Sequence, residues 1–461
     1  MAWLWQRCGC RVLAFGKMTL DVGLLEPRRG NVLLLGQRPL WIPAYCAGSR
    51  RIQLETLFFP TRSTFTFSKY CSSLWRTPIR LYYTTQRTCC CSKTHSEAKY
   101  KDPFLLGSTD LKNLYQDIKK ELLVSTSELK DMCEYYFDGR GKAIRPVLVI
   151  LMARACNAHF SNSRTGYPEG RTFPLPCFCW KKEGSHGCMT RHPLFGGFSY
   201  PREVLASQRS IAVITEMIHT ASLVHDDVID GSDSRRGKKT VNHMWGERKA
   251  VLAGDYILSA ASVALARIGN TTVVSVFCQV IEDLVRGEFL QLGSKENENE
   301  RFAHYLEKTF KKTASLIANS CKAVSILGCP DPKVHEIAYQ YGKNIGIAFQ
   351  LIDDVLDFTA CADQLGKPAA ADLRLGLANG PVLFACQQFP ELNALIMRRF
   401  SSPGDVDRAW QYVQQSDGVQ QAIYLAQRYC HEAIREISKL QPSPERDALI
   451  QLTDIVLTRD K

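Results

Sequence analysis

From about residue 100 to the end of the chain, apolar residues recur at three- and four-residue intervals, broken by short Gly, Pro or Asn stretches, with almost none of the strict alternation a half-buried strand needs. The pattern predicts an all-α body. Helices are expected over 125–136, 145–156, 206–230, 246–267, 271–293, 299–327, 332–358 and 379–400, with shorter ones near the C-terminus. Residues 164–205 do not fit this scheme, since they gather Pro168, Pro174, Pro176, Pro193 and Pro201 with several glycines and show no helical period. So long an unpatterned stretch inside a compact helical domain is expected to be a surface excursion, or a piece retained through an inaccurate gene model. The longest apolar run, Val147 to Met152, falls far short of the roughly eighteen residues a membrane span needs, so membrane contact is expected to be peripheral at most.

Composition suits a folded protein, with 461 residues, 45% hydrophobic and 23% charged. The net charge of +12 suggests a nucleic-acid binder until it is divided along the chain. Residues 1–96 carry fourteen Lys or Arg against only Asp21, Glu26 and Glu55, which leaves the remaining 365 residues nearly neutral. A neutral body argues against nucleic acid as a partner, because tracking a phosphate backbone needs a concentrated basic field. The basic, acid-poor, Ser/Thr-rich first 96 residues fit a mitochondrial transit segment better than a secretory signal, which would show a compact apolar core and a small-residue cleavage site. Of the 18 cysteines, seven lie in this leader and three at 177–188; the other eight are scattered singly, without paired metal-ligand spacing. They read as small apolar residues in a reducing compartment.

The chemistry lies in two acidic clusters, Asp226-Asp227-Val-Ile-Asp230 and Asp353-Asp354-Val-Leu-Asp357, each at the end of an apolar helix. On a helix, residues four apart share a face and the next residue flanks it, so each cluster aims three carboxylates at one volume. A single such cluster could be a solvated helix end; two, each following an apolar run, point to a cation that offsets the repulsion. An all-oxygen donor set without His or Cys suits Mg²⁺, which keeps several waters and is commonly shared with substrate phosphates. A second motif, Gly139-Arg-Gly141-Lys142-Ala-Ile-Arg145-Pro146, sets a fork donor and a point charge three residues apart after a glycine turn. It lacks the spacing of a Walker A loop. Arg235-Arg236-Gly237 follows directly on the first acidic cluster.

Together these parts resemble the trans-isoprenyl diphosphate synthases, and among them the long-chain all-trans-polyprenyl synthases. The resemblance covers about 100–461 apart from 164–205. It rests on GKAIRP at 141–146, HTASLVHDDVID at 219–230, RRG at 235–237, Lys312-Thr313-Ala314 and GIAFQLIDDVLD at 346–357. It implies the isoprenoid synthase fold, a helical bundle around a deep central cavity with the two acidic motifs facing each other at its mouth. It further implies that Asp226, Asp227, Asp230, Asp353 and Asp354 bind Mg²⁺, with Asp357 completing the second motif. Arg235, Lys312 and Lys367 would contact an allylic diphosphate such as farnesyl or geranylgeranyl diphosphate. Lys142, Arg145, His219 and Arg236 would hold isopentenyl diphosphate. Thr313 and Gln350 would present negative dipoles to the allylic cation, so that the catalytic set is Asp226, Asp227, Asp353, Asp354, Lys312, Thr313 and Gln350. Small residues one turn before Asp226, Ala221 and Ser222, would leave room for a long product.

The same resemblance implies repeated head-to-tail condensation to an all-trans polyprenyl diphosphate for the ubiquinone side chain. The expected setting is the mitochondrial matrix or inner-membrane surface, in a heteromer with a second, diverged subunit, as a heterotetramer. A non-catalytic scaffold subunit is the alternative, and it should have eroded aspartates; a terpene cyclase would have no need of the GKAIRP and RRG pocket. The sequence departs from the family after Lys367 and Asp372, where Leu377 and Asn379 stand in place of a lysine and a threonine, which puts one cationic contact to the allylic diphosphate in question.

Overall fold

The structure, a computed structural model, describes residues 102–124, 126–139, 143–164, 203–235, 237–292, 298–359 and 370–459. The leader and nearly all of the 164–205 stretch lie outside the described residues. The described part opens with α1 (Pro103–Leu111), α2 (Leu114–Glu121), α3 (Ser127–Glu134) and α4 (Ile144–Arg164). Next come α5 (Ala206–Ile229), a two-residue hairpin β1 (Ser234–Arg235) and β2 (Lys238–Lys239), α6 (Val241–Trp245), α7 (Glu247–Arg267) and α8 (Thr271–Leu292). Then follow α9 (Glu298–Thr309), a π-helical turn (Phe310–Ala314), α10 (Ser315–Gly328) and α11 (Pro332–Thr359). The chain ends with α12 (Ala371–Arg374), α13 (Gly380–Ala385), α14 (Leu392–Met397), α15 (Asp405–Gln415), α16 (Gly418–Ile437) and α17 (Pro444–Thr458). The all-α expectation holds, with the antiparallel hairpin as the sole β structure among the described residues.

The 28-residue α11 is the axis of the bundle, packing along α10 and α16, while α5 packs along α7. Its start is set locally: Asp331 accepts from the Lys333 amide at 2.9 Å and Pro332 occupies the first turn, where a missing N–H costs nothing. Beyond that turn its buried face carries Val334, Ala338, Tyr341, Ile345, Ala348 and Ile352, an i, i+3/i+4 stripe that ends on Asp353 and Asp354. Helix α5 does the same with Ile211, Ile214, Met217, Ile218 and Ala221 before Asp226 and Asp227. Burying the stripe therefore fixes where each acidic end projects. A second, smaller core around Phe358, Leu373, Phe384, Leu392 and Phe400 supports the end of α11.

Four expectations are corrected. The helix expected over 299–327 is interrupted by the π turn, and the one expected over 379–400 is two short helices, α13 and α14. The C-terminal helices α16 and α17, of 20 and 15 residues, are not short. Helix α7 is long and apolar enough to cross a membrane, with a mean hydropathy of 1.4 over 18 residues. Counting only unbroken apolar runs missed it, because its Ala, Ser and Gly positions raise the average without making a run. In this fold Ala250, Ala253, Gly254, Ile257 and Ala261 give it a small-residue face that is buried in the core.

The π turn is held between two close approaches. A side chain at Gly287 of α8 would meet the Lys312 backbone nitrogen at 3.0 Å, and one at Gly346 of α11 would meet the Ala314 Cα at 2.7 Å. Gly346→Ala is therefore expected to lower unfolding stability by about 1–3 kcal/mol through overpacking, outweighing the roughly 1 kcal/mol an alanine gains in helix propensity. Denaturant unfolding of the variant measures this.

Candidate active site

The segment Lys311-Lys312-Thr313 lies in the π turn, where one extra residue per turn rotates neighbouring side chains onto different neighbours. Lys311 pairs with the buried Asp283 at 3.0 Å. Lys312 pairs with Glu288 of α8 and lies 3.8 Å from Asp226 of the first acidic cluster. Thr313 donates to Gln350 Oε1 at 2.8 Å, and Gln350 in turn donates to Asp354 of the second cluster at 2.9 Å. Two consecutive residues thus reach the two acidic clusters, one each.

The six aspartates do not share one role. Asp227 is 1% exposed and carries a full set of donors: Tyr136 Oη at 2.8 Å and the Arg235 guanidinium, whose NH2 lies 2.6 Å from Oδ1. The short hairpin aims Arg235 back at the helix end it has just left. Asp354, 3% exposed, accepts from Tyr305 Oη at 2.6 Å, the Gly380 amide at 3.1 Å and Gln350. Asp353 pairs with Arg459 at 2.8 Å, and that guanidinium stacks 3.6 Å above the Phe349 ring. Asp357 accepts the Ala371 and Asp372 amides at 3.0 and 3.3 Å, so it caps α12. Asp226 and Asp230 lie at the α5 end, Asp226 beside Lys312, with both half-buried.

Burial dominates the electrostatics. The Asp226 carboxyl is pushed up to about 7, by dehydration first and then by Glu288 and Asp230, against the pull of Lys312. Asp357 is also raised to about 7, by burial and then Asp372, and Asp354 to about 6 on the same causes. Oε2 of Glu288 is buried with no hydrogen-bond partner among the described residues. Among those residues no three His, Cys, Asp or Glu side chains converge on one point as a ready-made metal cage. The donor chemistry still fits a hard divalent cation, since unmet negative charge and an orphaned carboxylate oxygen stand together beside Asp226. Such a cation would take its remaining ligands from water and phosphate.

On the other side of the site, Arg145 of α4 contacts His219 at 2.9 Å and lies 5.6 Å from the Phe349 ring centre. Ala221 is fully buried, while Ser222 donates to the His219 carbonyl at 2.8 Å. A shallow apolar cleft lies beside Arg145 and Phe349, lined by Ile144, Leu148, Ile317 and Leu452; Ala221 and Ser222 do not line it. Lys142, Arg236 and Lys367 lie outside the described residues. The sequence reading missed Tyr136, Tyr305, Glu288 and Arg459. Each comes from a distant segment with no motif of its own; for Arg459 the one available signal was a basic residue at the end of an apolar helix.

With this geometry in hand, comparison with known proteins is decisive. Residues 126–413 match the polyprenyl synthetase family. The chain belongs to that family. It is a trans-polyprenyl diphosphate synthase, a prenyltransferase. It is 74% identical over 370 residues to human All trans-polyprenyl-diphosphate synthase PDSS1, covering 80% of each chain. It is 43% identical to Decaprenyl-diphosphate synthase subunit 1 of Schizosaccharomyces pombe, covering 80% of this chain and 97% of that one. With the Probable hexaprenyl pyrophosphate synthase, mitochondrial, of Yarrowia lipolytica it shares 39% identity, covering 79% of this chain and 86% of that one. The crystal structure of a Caulobacter crescentus polyprenyl synthase, complexed with calcium and isoprenyl diphosphate, superposes with a TM-score of 0.63 at 26% identity. It covers 78% of this chain and 97% of that one.

The raised carboxyls give this polyprenyl synthase a testable pH signature. A carboxyl raised on folding destabilises the metal-free protein increasingly as pH climbs from its unfolded value near 4 to about 7, the folded value of Asp226. Asp226→Asn is expected to raise the melting temperature in chelator at pH 8 and to leave it unchanged at pH 4. A thermal melt at the two pH values reads this directly.

Proposed function

We propose that this enzyme extends farnesyl or geranylgeranyl diphosphate by repeated condensation with isopentenyl diphosphate, giving a long all-trans polyprenyl diphosphate for the ubiquinone side chain. The observation that carries the reading is the π turn, whose Lys312 and Thr313 each reach one acidic cluster. Arg235 and Lys312 are cations already beside the first cluster, where they would bind the allylic diphosphate and stabilise the charge it gains on leaving. Lys367, from the sequence pattern, joins them. Asp226, Asp230 and Asp353, supported by Asp227, Asp354 and Asp357, would hold Mg²⁺, which when bound would add charge neutralisation for the diphosphate.

Arg145 and His219, with Lys142 and Arg236 from the sequence pattern, hold isopentenyl diphosphate. The Thr313–Gln350 pair sets oxygen dipoles toward the allylic cation, and the apolar surroundings of α5 and α11 exclude water from it. Fixing two substrates at adjoining subsites removes much of the entropic barrier. Ala221 and Ser222 shape the space for the growing chain. The basic leader and the naming of one relative as mitochondrial support action in the mitochondrion, and the naming of another as a subunit 1 supports a heteromer with a second polyprenyl synthase subunit. The scaffold alternative loses support because both aspartate clusters are complete.

A Mg²⁺-dependent assay with farnesyl diphosphate and labelled isopentenyl diphosphate, with and without the partner subunit, is expected to yield a long-chain product. Asp226→Ala and Asp353→Ala should each reduce condensation by at least about a hundredfold, the scale of losing a charge-stabilising group; near-normal turnover in either defeats the assignment. Ala221→Phe should shorten the product ladder and, because Ala221 is fully buried, also lower stability by about 1–3 kcal/mol. An unchanged ladder would show that length is set elsewhere.

A further inference from the structure

A second cavity, of about 600 Å³ counted to its open mouth, lies against α9. It is lined by Arg301, His304, Tyr305 and Lys308 of α9 together with Gln291, Leu377, Leu383 and Arg399. It touches the catalytic machinery twice: Gln291 accepts from Lys312 at 3.3 Å, and Tyr305 donates to Asp354 at 2.6 Å. Lys308 follows Tyr305 by three residues on the same helix face, with its ammonium 5.6 Å from the Tyr305 ring centre.

Among the described residues, Arg235 pairs with Asp227, Lys311 with Asp283, Lys312 with Glu288 and Arg459 with Asp353, while Arg145 contacts His219. Lys308 is half-buried, and among the described residues it forms no salt bridge and no hydrogen bond. Its charge nevertheless reaches Asp354, whose carboxyl it draws down against the effect of burial. A partly dehydrated ammonium held on a tyrosine ring, without an anion of its own, at the edge of a cavity that adjoins both acidic clusters, is suited to a mobile anion. Leu377 gives the cavity wall only apolar surface; two guanidinium groups also line the cavity, Arg301 donating to Asn393 Oδ1 at 2.7 Å and Arg399 to the Leu292 carbonyl at 3.5 Å.

We propose that Lys308 binds the diphosphate of the allylic substrate from this cavity, serving in place of a cation at position 377. The inference rests on the function proposed above and deepens it by naming a further diphosphate-binding residue. The test uses the full chain with its partner subunit. Lys308→Gln is expected to raise KM for farnesyl diphosphate about tenfold, the loss of one charge-assisted contact, while KM for isopentenyl diphosphate stays unchanged. Adding Leu377→Lys to that variant should bring the allylic KM back to within about threefold of wild type, since the new ammonium enters the same cavity.

Calorimetric titration of inorganic diphosphate with Mg²⁺ should show the same loss and recovery without turnover. An unchanged allylic KM in Lys308→Gln, an equal rise in both KM values, or no recovery in a double variant that melts like wild type would each overturn the proposal. Should wild type fail to condense the two substrates, the parent reading falls. The diphosphate titration then still decides the role of Lys308: weaker binding in Lys308→Gln supports it and equal binding overturns it.

Discussion

Carboxylates gathered at the ends of two buried helices must be neutralised where water cannot do it. Dehydration raises Asp226, Asp354 and Asp357 well above their ordinary range, so each acidic group requires a donor or cation close by. Much of what surrounds the site answers that requirement. Arg235 returns through a two-residue hairpin, Arg459 reaches back from the last helix, Tyr136 and Tyr305 each hold one aspartate, and the α12 amides take Asp357. Asp227, Asp353, Asp354 and Asp357 thus meet internal partners, while Asp226 stays crowded by Glu288, a donor set whose chemistry fits a hard divalent cation.

The π turn links this electrostatic demand to the packing. A regular helix through 299–327 would repeat its faces every 3.6 residues; the inserted residue breaks that repeat where Lys312 and Thr313 must serve opposite clusters. Its cost is met by Gly287 and Gly346, which let α8 and α11 approach the turn's backbone. Stability and catalytic geometry are therefore set by the same contacts, and a change in either glycine disturbs both.

Much of the site was legible because its residues are tied to strong local patterns. Asp226, Asp227, Asp353 and Asp354 follow apolar stripes whose burial fixes their direction, and Arg235 comes five residues after Asp230 through a tight turn. Lys312, Thr313 and Gln350 were singled out by motif order rather than by physical pattern, since nothing in a helical period marks them. Tyr136, Tyr305, Glu288 and Arg459 were not found: an isolated tyrosine or acid on an amphipathic helix has the same local signature whether it faces solvent or an aspartate. The break at 310–314 was missed for a related reason, because an apolar pattern through 299–327 tolerates one inserted residue without losing its stripe.

The sequence by itself determined the helical class, the two acidic ends, the excess of basic residues in the first 96 positions and the chemical type of the donors, because these follow from periodicity, charge and spacing within a few turns. Tertiary structure decided which aspartates meet internal partners and how the two clusters are joined through adjacent residues of one turn. Those outcomes depend on contacts between segments tens to hundreds of residues apart. No local pattern encodes them, since they are fixed only when the helices pack.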